Sequence, residues 1–274
     1  ALAGVLGVGL LEHLTVVPRS PSATAVVVAG YAAVMLAGAV AFGPAFLDRA
    51  DALAVLYRLF GRVAPLRVRG DGTVSVRAPW AGCADPLPDR AAAAVAVAAV
   101  YVVSFDGATS TPDYQTAALA LRETALGAFA GIALYIAGFA LFWGAFVLVT
   151  RVAETLGTAG DGGVSADSSS ADSLRTLAPT LLPIAVGYEV AHYYPYVVRN
   201  LARSVTLLGR PLAADPGAGA VTVLDWLPLS AFWASQVVLV VGGHVAAVVA
   251  AHAVTVGRYP SRRAATLAHL PLTA

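Results

Sequence analysis

Ionisable side chains set inside long apolar runs are where this sequence can do chemistry. The richest segment reads GYEVAHYYPYVVRN, residues 187–200. A carboxylate or imidazole in hydrocarbon is costly to desolvate and is retained where it finds a partner, a cavity or a proton to exchange. Glu189 and His192 are spaced i,i+3, and Glu189 and Tyr193 i,i+4, so a helix turns all three toward one site. Tyr188 and His192 share the i,i+4 spacing, as do His192 and Tyr196. Pro195 has no N–H to donate, which frees a carbonyl near Ala191 for a neighbour, a water or an ion.

A second apolar run, SQVVLVVGGHVAAVVAAHAVTVGR, carries His244 and His252. Eight residues of helix advance about 12 Å and turn about 80° from the starting face, so one metal ion does not readily take both. His244, near the middle, is expected to approach Glu189 and His192, with Gly242-Gly243 permitting close helix contact just before it. His252 falls nearer the cytoplasmic end. Several readings stay open. Glu189, His192 and His244 can supply mixed oxygen and nitrogen ligands to zinc or another divalent transition metal. The same groups, with Tyr193 and His252 as further polar-path residues, can relay protons or line a transport path. They can equally form a structural hydrogen-bonded pair, or histidines on different helices can ligate a haem.

Asp106, in SFDGATSTPDYQ, directly follows another apolar run. It can enter the mouth of a cavity as a catalytic group, or it can end a helix in a turn begun by Asp-Gly.

These residues need helices to hold them, and the apolar runs have the length for it. A membrane-crossing helix takes about 20 mostly apolar residues. Five runs meet or approach that length, at about 23–46, 88–106, 123–150, 174–198 and 230–257. The second is the shortest, with 15 residues between Arg90 and Asp106, and needs extension toward Pro88 or Thr109. A cleaved signal peptide does not account for five runs. The fold expected is all-α, a polytopic transmembrane helical bundle of about five complete spans in a single membrane domain.

Composition agrees. Of 274 residues 58% are hydrophobic and 12% charged, mean hydropathy is +0.76, and a water-facing surface normally needs about 25% charge. The 17 basic residues are all arginine, and Cys83 is the single cysteine, which excludes an intrachain disulfide or a cysteine metal cluster. Five arginines (19, 122, 199, 203 and 210) fall on one side of the alternating runs, and the other twelve on the opposite side, which the positive-inside rule puts in the cytoplasm. Basic residues at such run ends anchor and orient, so no nucleic-acid partner is expected. The partners expected are the lipid bilayer, a small-molecule substrate or transported ion, and missing terminal helices or a partner subunit.

The connections carry their own patterns. Residues 47–89 begin with Leu53, Leu56, Leu59, Phe60 and Val63 at helical spacing, an amphipathic stretch for the cytoplasmic interface or the end of a bent helix. RVRGDGTVSVR reads as a hairpin around Asp71-Gly72. Residues 157–173 read as a flexible low-complexity loop. Trp80, Trp143, Trp226 and Trp233 include interface anchors. ALAGVLGVGLL, residues 1–11, is too short to span and reads as the end of a helix cut by the chain boundary, or as a short interfacial segment. RRAATLAHLPLTA reads as a connector into another apolar segment, so the chain is expected to be a fragment.

The succession APLRVRGDGTVSVRAPWAG, VSFDG, PIAVGYEVAHYYPYVV and SQVVLVVGGHVAAVVAAHAV resembles a family of bacterial polytopic membrane proteins labelled fenitrothion hydrolase-like, over most of the chain. Its members are longer at both ends. The resemblance highlights Asp106, His192, His244 and His252. Relatives read GYHVAHYLPY where this chain has Glu189, exchanging a nitrogen ligand for oxygen. It implies an inner-membrane, metal-dependent hydrolase of an organophosphorus or related ester. Glu189, His192 and His244 would hold the ion, Asp106 would orient water or substrate, and the metal would acidify its bound water. No G-x-S-x-G elbow is present to support serine-esterase chemistry.

Overall fold

The structure, a computed structural model, describes residues 1–160, 170–209, 227–259 and 261–273. It is mostly helical. In chain order the helices are α1 (Leu2–Leu14), α2 (Pro21–Phe42), α3 (Ala45–Ala50), α4 (Ala52–Phe60), α5 (Arg90–Thr109), α6 (Pro112–Arg122), α7 (Ala130–Gly160), α8 (Ser170–Leu177), α9 (Leu182–Gly209), α10 (Leu229–Arg258) and α11 (Arg262–His269). Their starts follow from local chemistry. Ser20, Asp51, Asp89, Thr111 and Ser261 each cap a helix by accepting a backbone N–H with the side chain. Proline occupies the first position of α2 and α6, where no N–H is needed.

Among the described residues, four helical segments are long and apolar enough to cross a membrane: Pro21–Phe42, Arg90–Thr109, Gly127–Ala159 and Leu229–Arg258. This agrees with a polytopic helical bundle. The fourth run of the sequence, at about 174–198, puts most of its length into α9, which is long enough, but its apolar character is diluted by Glu189, Arg199 and Arg203. The short second run gains its length by continuing through Asp106 to Thr109. The expected stretch 157–173 is helical at Gly157–Gly160 and again from Ser170. Residues 161–169 and Trp226 lie outside the described residues.

Helix α5 is the centre of the bundle. Ala93, Val95, Ala96, Val97, Ala98, Val100 and Tyr101 are buried, and α1, α7 and α9 pack around it. Helix α2 is the opposite case: of its 22 residues only Gly38 is buried, and Val40 is 81% exposed. Leu141 on α7 and Val238 on α10 are likewise exposed. Apolar surface on this scale is unfavourable in water and costs nothing in hydrocarbon.

The 47–89 connection folds as its pattern predicts, with one change of face. Helix α4 buries Ala52, Val55 and Leu59, and Val63 follows them inside, while Leu53 is 43% exposed. The hairpin pairs β1 (Leu66–Val68) with β2 (Val74–Val76), Leu66 opposite Val76, around Gly72 at φ 81°. Arg77 ties it down by donating to the carbonyls of Gly61 and Ala64. The all-α expectation is thus modified by one small antiparallel pair, which belongs to a connection and not to the bundle.

Two tyrosines fix α1 against the centre. Tyr101 on α5 donates to the Tyr135 carbonyl at 2.5 Å, and Tyr135 on α7 donates to the Leu6 carbonyl of α1 at 2.9 Å. Gly9 makes room for this, since a Cβ there would lie 2.6 Å from the Tyr135 hydroxyl oxygen.

Candidate functional site

The ionisable cluster lies where α1, α5 and α9 meet. Residue 106 falls in the last turn of α5, inside the helix, so the Asp-Gly turn expected there does not form. Its carboxylate joins the three helices. Oδ2 accepts the Tyr188 hydroxyl of α9 at 2.5 Å and lies 3.6 Å from His192 Nδ1. Oδ1 lies 3.4 Å from His13 Nδ1 of α1. One turn of α9 further on, the Tyr193 hydroxyl donates to Glu12 of α1. Glu12, His13, Asp106, Tyr188, Glu189, His192 and Tyr193 line a single cavity with Val102 and Val103.

The rings order this array. Tyr188 and His192 stack at 5.7 Å with 13° between planes, as their i,i+4 spacing predicts, and Tyr193 meets the His192 ring edge-on at 4.8 Å. His13 is more enclosed than Asp106 or His192. Its side chain is 9% exposed, against 29% for Asp106 and 46% for His192, and its Nε2 is buried with no hydrogen-bond partner among the described residues. Glu189 also makes no hydrogen bond to a described residue; its near neighbours are the carboxyls of Glu12 and Asp106. Three carboxyls and two imidazoles therefore share one enclosed space.

The sequence expectation for α9 holds: Glu189, His192 and Tyr193 face one site, and Asp106 joins them. His244 does not. The physical reason is Gly243. A Cβ on Gly243 would lie 2.6 Å from the Pro183 carbonyl oxygen, and one on Gly187 would lie 3.1 Å from the Gly243 Cα, so this glycine pair lets α9 and α10 approach backbone to backbone. With Gly243 aimed at α9, the next residue is turned about 100° away. His244 Nδ1 sits 2.8 Å from the Val240 carbonyl of its own helix, and its ring lines a separate cavity with Phe146, Leu177 and Leu181. His252 lies further along α10 and meets His269 of α11 edge-on at 5.1 Å. The carbonyl freed by Pro195 is taken up as predicted: Gln236 of α10 donates to the Ala191 oxygen at 3.1 Å.

These positions bear on the metal expected from Glu189, His192 and His244. Among the described residues, no group of three or more His, Cys, Asp or Glu side chains is placed to hold a metal ion. Glu189 and His192 line one cavity and His244 another, so this donor set does not fit the ion.

Sequence reasoning passed over Glu12 and His13, which lie just beyond the short apolar run at the start of the chain. Their signal was the dipeptide itself: adjacent acid and imidazole with leucines on both sides, in GLLEHL. The cavity they complete measures about 20 Å³. A single water needs about 10–15 Å³ of such space, so the site admits a water molecule and not an ester. A second, open groove of about 530 Å³ begins on the other side of Tyr188 and His192, between α9 and α10. Comparison of the chain with protein-family models, with curated proteins and with solved structures finds no match.

Proposed function

We propose that this is a multi-pass protein of the cytoplasmic membrane, with α9 as a fifth crossing beside the four apolar ones, that moves protons through the α1–α5–α9 cluster as a transporter or membrane-complex subunit. The observation that carries this reading is Asp106, one carboxylate placed between the imidazoles of His13 and His192 and bonded to the Tyr188 hydroxyl. Carboxylate, imidazole and phenol within one cavity are the groups from which proton paths inside membranes are built. Their spacing suits transfer through small reorientations or one intervening water. In this role His192, nearly half exposed, connects the cluster to the groove, and His13, enclosed on α1, is its inner end.

The ester-hydrolase reading draws no such support. The enclosed site is too small for the substrate, and the three residues expected to hold its metal are divided between two cavities.

Proteoliposomes loaded with a pH-sensitive dye test the proposal. Under an imposed potassium diffusion potential the protein is expected to accelerate internal pH change, and Asp106→Asn to bring the rate down to that of protein-free vesicles. Wild-type protein no faster than empty vesicles, or an Asp106→Asn variant as fast as wild type, would remove the proposal.

A further inference from the structure

The geometry points to the α9–α10 groove as a binding site for a single-chain, lipophilic carboxylic acid, its carboxylate held by Arg199. This names the substrate class of the proton site just described and so rests on that reading. Successive α9 positions 188, 192, 195 or 196, and 199 follow helical spacing, and all of them line the groove. Ala191, Pro195, Phe232, Trp233 and Val240 make its apolar walls. Its volume, about 530 Å³, falls in the range of about 300–1,000 Å³ usual for small-molecule sites.

Charge selects the occupant. Arg199 is the one arginine among the residues lining the groove, and His192 is the other basic side chain there. It meets no carboxylate among the described residues, and its guanidinium carbon stands 6.0 Å from the centre of the Phe232 ring. One planar guanidinium balances one negative charge and pairs with a carboxylate through two parallel hydrogen bonds. The walls beyond it offer apolar contact along the length of the groove, which fits one hydrocarbon chain. Gln236 is already committed to the Ala191 carbonyl, and the Asn200 amide to that of Tyr196. Arg199, the permanent cation of the groove, is therefore the group suited to hold an anionic head.

The groove is continuous with the proton cluster. Tyr188 and His192 line both spaces, so a bound acid covers the exposed side of His192. Arg199 lies seven residues beyond His192, about 10 Å along the helix axis. A head group that moves inward by that distance reaches the imidazole. Transfer of a proton from the imidazolium N–H to a carboxylate oxygen there leaves a neutral imidazole and a neutral acid, and Asp106 faces the ring on the side from which it is reprotonated.

The full chain in nanodiscs of zwitterionic lipid, titrated with dibromostearate, tests the binding. Bromine quenches nearby tryptophan, and the difference between wild type and Trp233→Phe isolates the signal of the groove. Saturable quenching of Trp233 is expected, with about tenfold more dibromostearate needed in Arg199→Gln, as loss of a charge-assisted pair implies. Arg199→Lys should fall between the two. The methyl ester of the same acid should quench weakly and equally in all variants. Equal quenching by acid and ester in wild type, no change in Arg199→Gln, or displacement of the acid by phosphatidylglycerol would overturn the proposal, the last by making the site one for anionic lipid. Binding does not depend on flux. Arg199-dependent quenching without proton movement would leave the groove assignment standing and remove the transport reading, and proton movement without quenching would do the reverse.

Discussion

The Tyr188 hydroxyl reaches across from α9 to Asp106 of α5 and donates to its carboxylate at 2.5 Å, a direct bond between the helix richest in the polar cluster and the helix at the centre of the bundle. Removing the donor with Tyr188→Phe leaves the carboxylate with only its imidazole neighbours. A hydrogen bond to a charged group contributes about 1.5–3 kcal/mol, so the variant is expected to unfold at lower temperature in detergent and to slow proton movement. The two changes should be coupled. In a double-mutant cycle, adding Tyr188→Phe to Asp106→Asn should cost less than Tyr188→Phe alone by about 1 kcal/mol or more. Additive effects on stability would show that the two side chains act independently.

His244→Ala should leave proton movement at the wild-type rate, because Gly243 and not His244 faces α9. Gly243→Ala should be far more damaging than its size implies. The added Cβ would sit 2.6 Å from the Pro183 carbonyl oxygen, a backbone atom that yields only if the helices separate. Overpacking of this kind costs about 1–3 kcal/mol. Gly242→Ala is the control, since a Cβ there meets nothing within 4 Å. Thermal denaturation of the three variants checks the order, and a Gly242→Ala variant as unstable as Gly243→Ala would contradict the packing.

How far the site was legible in the sequence depended on whether one helix or several had to be known. Within α9 the periodicity was enough: Glu189, His192 and Tyr193 share a side because 3.6 residues per turn puts them there. Helical spacing also placed α4, the length a span requires took α5 on to Thr109, and the Asp71-Gly72 turn signal placed the hairpin. Partners across helices were another matter. Two glycines in a row at 242 and 243 mark a close contact but not which of them makes it, and a single step of 100° decides whether His244 faces α9 or α7. Helix α1 illustrates the same limit. At 13 residues it is too short to span, yet it is held against α5 and α7 by the Tyr135 bond to Leu6 and the small volume of Gly9, contacts that no local pattern announces.

Cys83 should resist alkylation at neutral pH. It is fully buried within the 47–89 connection, and that burial pushes its thiol up to about 11 against the lesser opposing pull of Arg62 and Arg77. The thiolate is the reactive form, so at pH 8 roughly one molecule in a thousand is competent even before access is considered. Maleimide labelling of the folded protein should be slow at pH 7–8, rise as pH approaches 11, and become fast on unfolding. Rapid labelling at neutral pH would show that the connection opens.

Acid should loosen α11. Burial, reinforced by the facing His252 ring, lowers the proton affinity of His269 below its ordinary value. A group whose folded pKa is depressed contributes stability above its unfolded pKa and loses it as pH falls through the folded one. The α11 helix should therefore hold firm at pH 7.5 and weaken as pH drops below about 6.5, the unperturbed histidine value. Amide hydrogen exchange along Arg262–His269, corrected for intrinsic rates, should speed up over that interval, and His269→Asn should flatten the response. Unchanged protection down to pH 5 would count against it.

The last test separates the cluster from the scaffold that places it. Gly9 lies on α1 one turn before His13, and a Cβ at that position would meet the Tyr135 hydroxyl oxygen at 2.6 Å and both methyl groups of Val102 at 2.9 Å. Tyr135 cannot swing aside without giving up its bond to the Leu6 carbonyl, and Val102 lines the cavity that holds the cluster. Gly9→Ala is thus expected to push α1 away from α5, carrying Glu12 and His13 out of reach of Tyr193 and Asp106. Gly7→Ala, on the same helix but with nothing within 4 Å of its added Cβ, should be neutral. If the cluster works as a unit across three helices, Gly9→Ala will slow proton movement about as severely as His13→Ala while leaving every ionisable side chain in place. A Gly9→Ala variant that moves protons at the wild-type rate would mean that α1 takes no part, and that the path runs through Asp106, His192 and Glu189 alone.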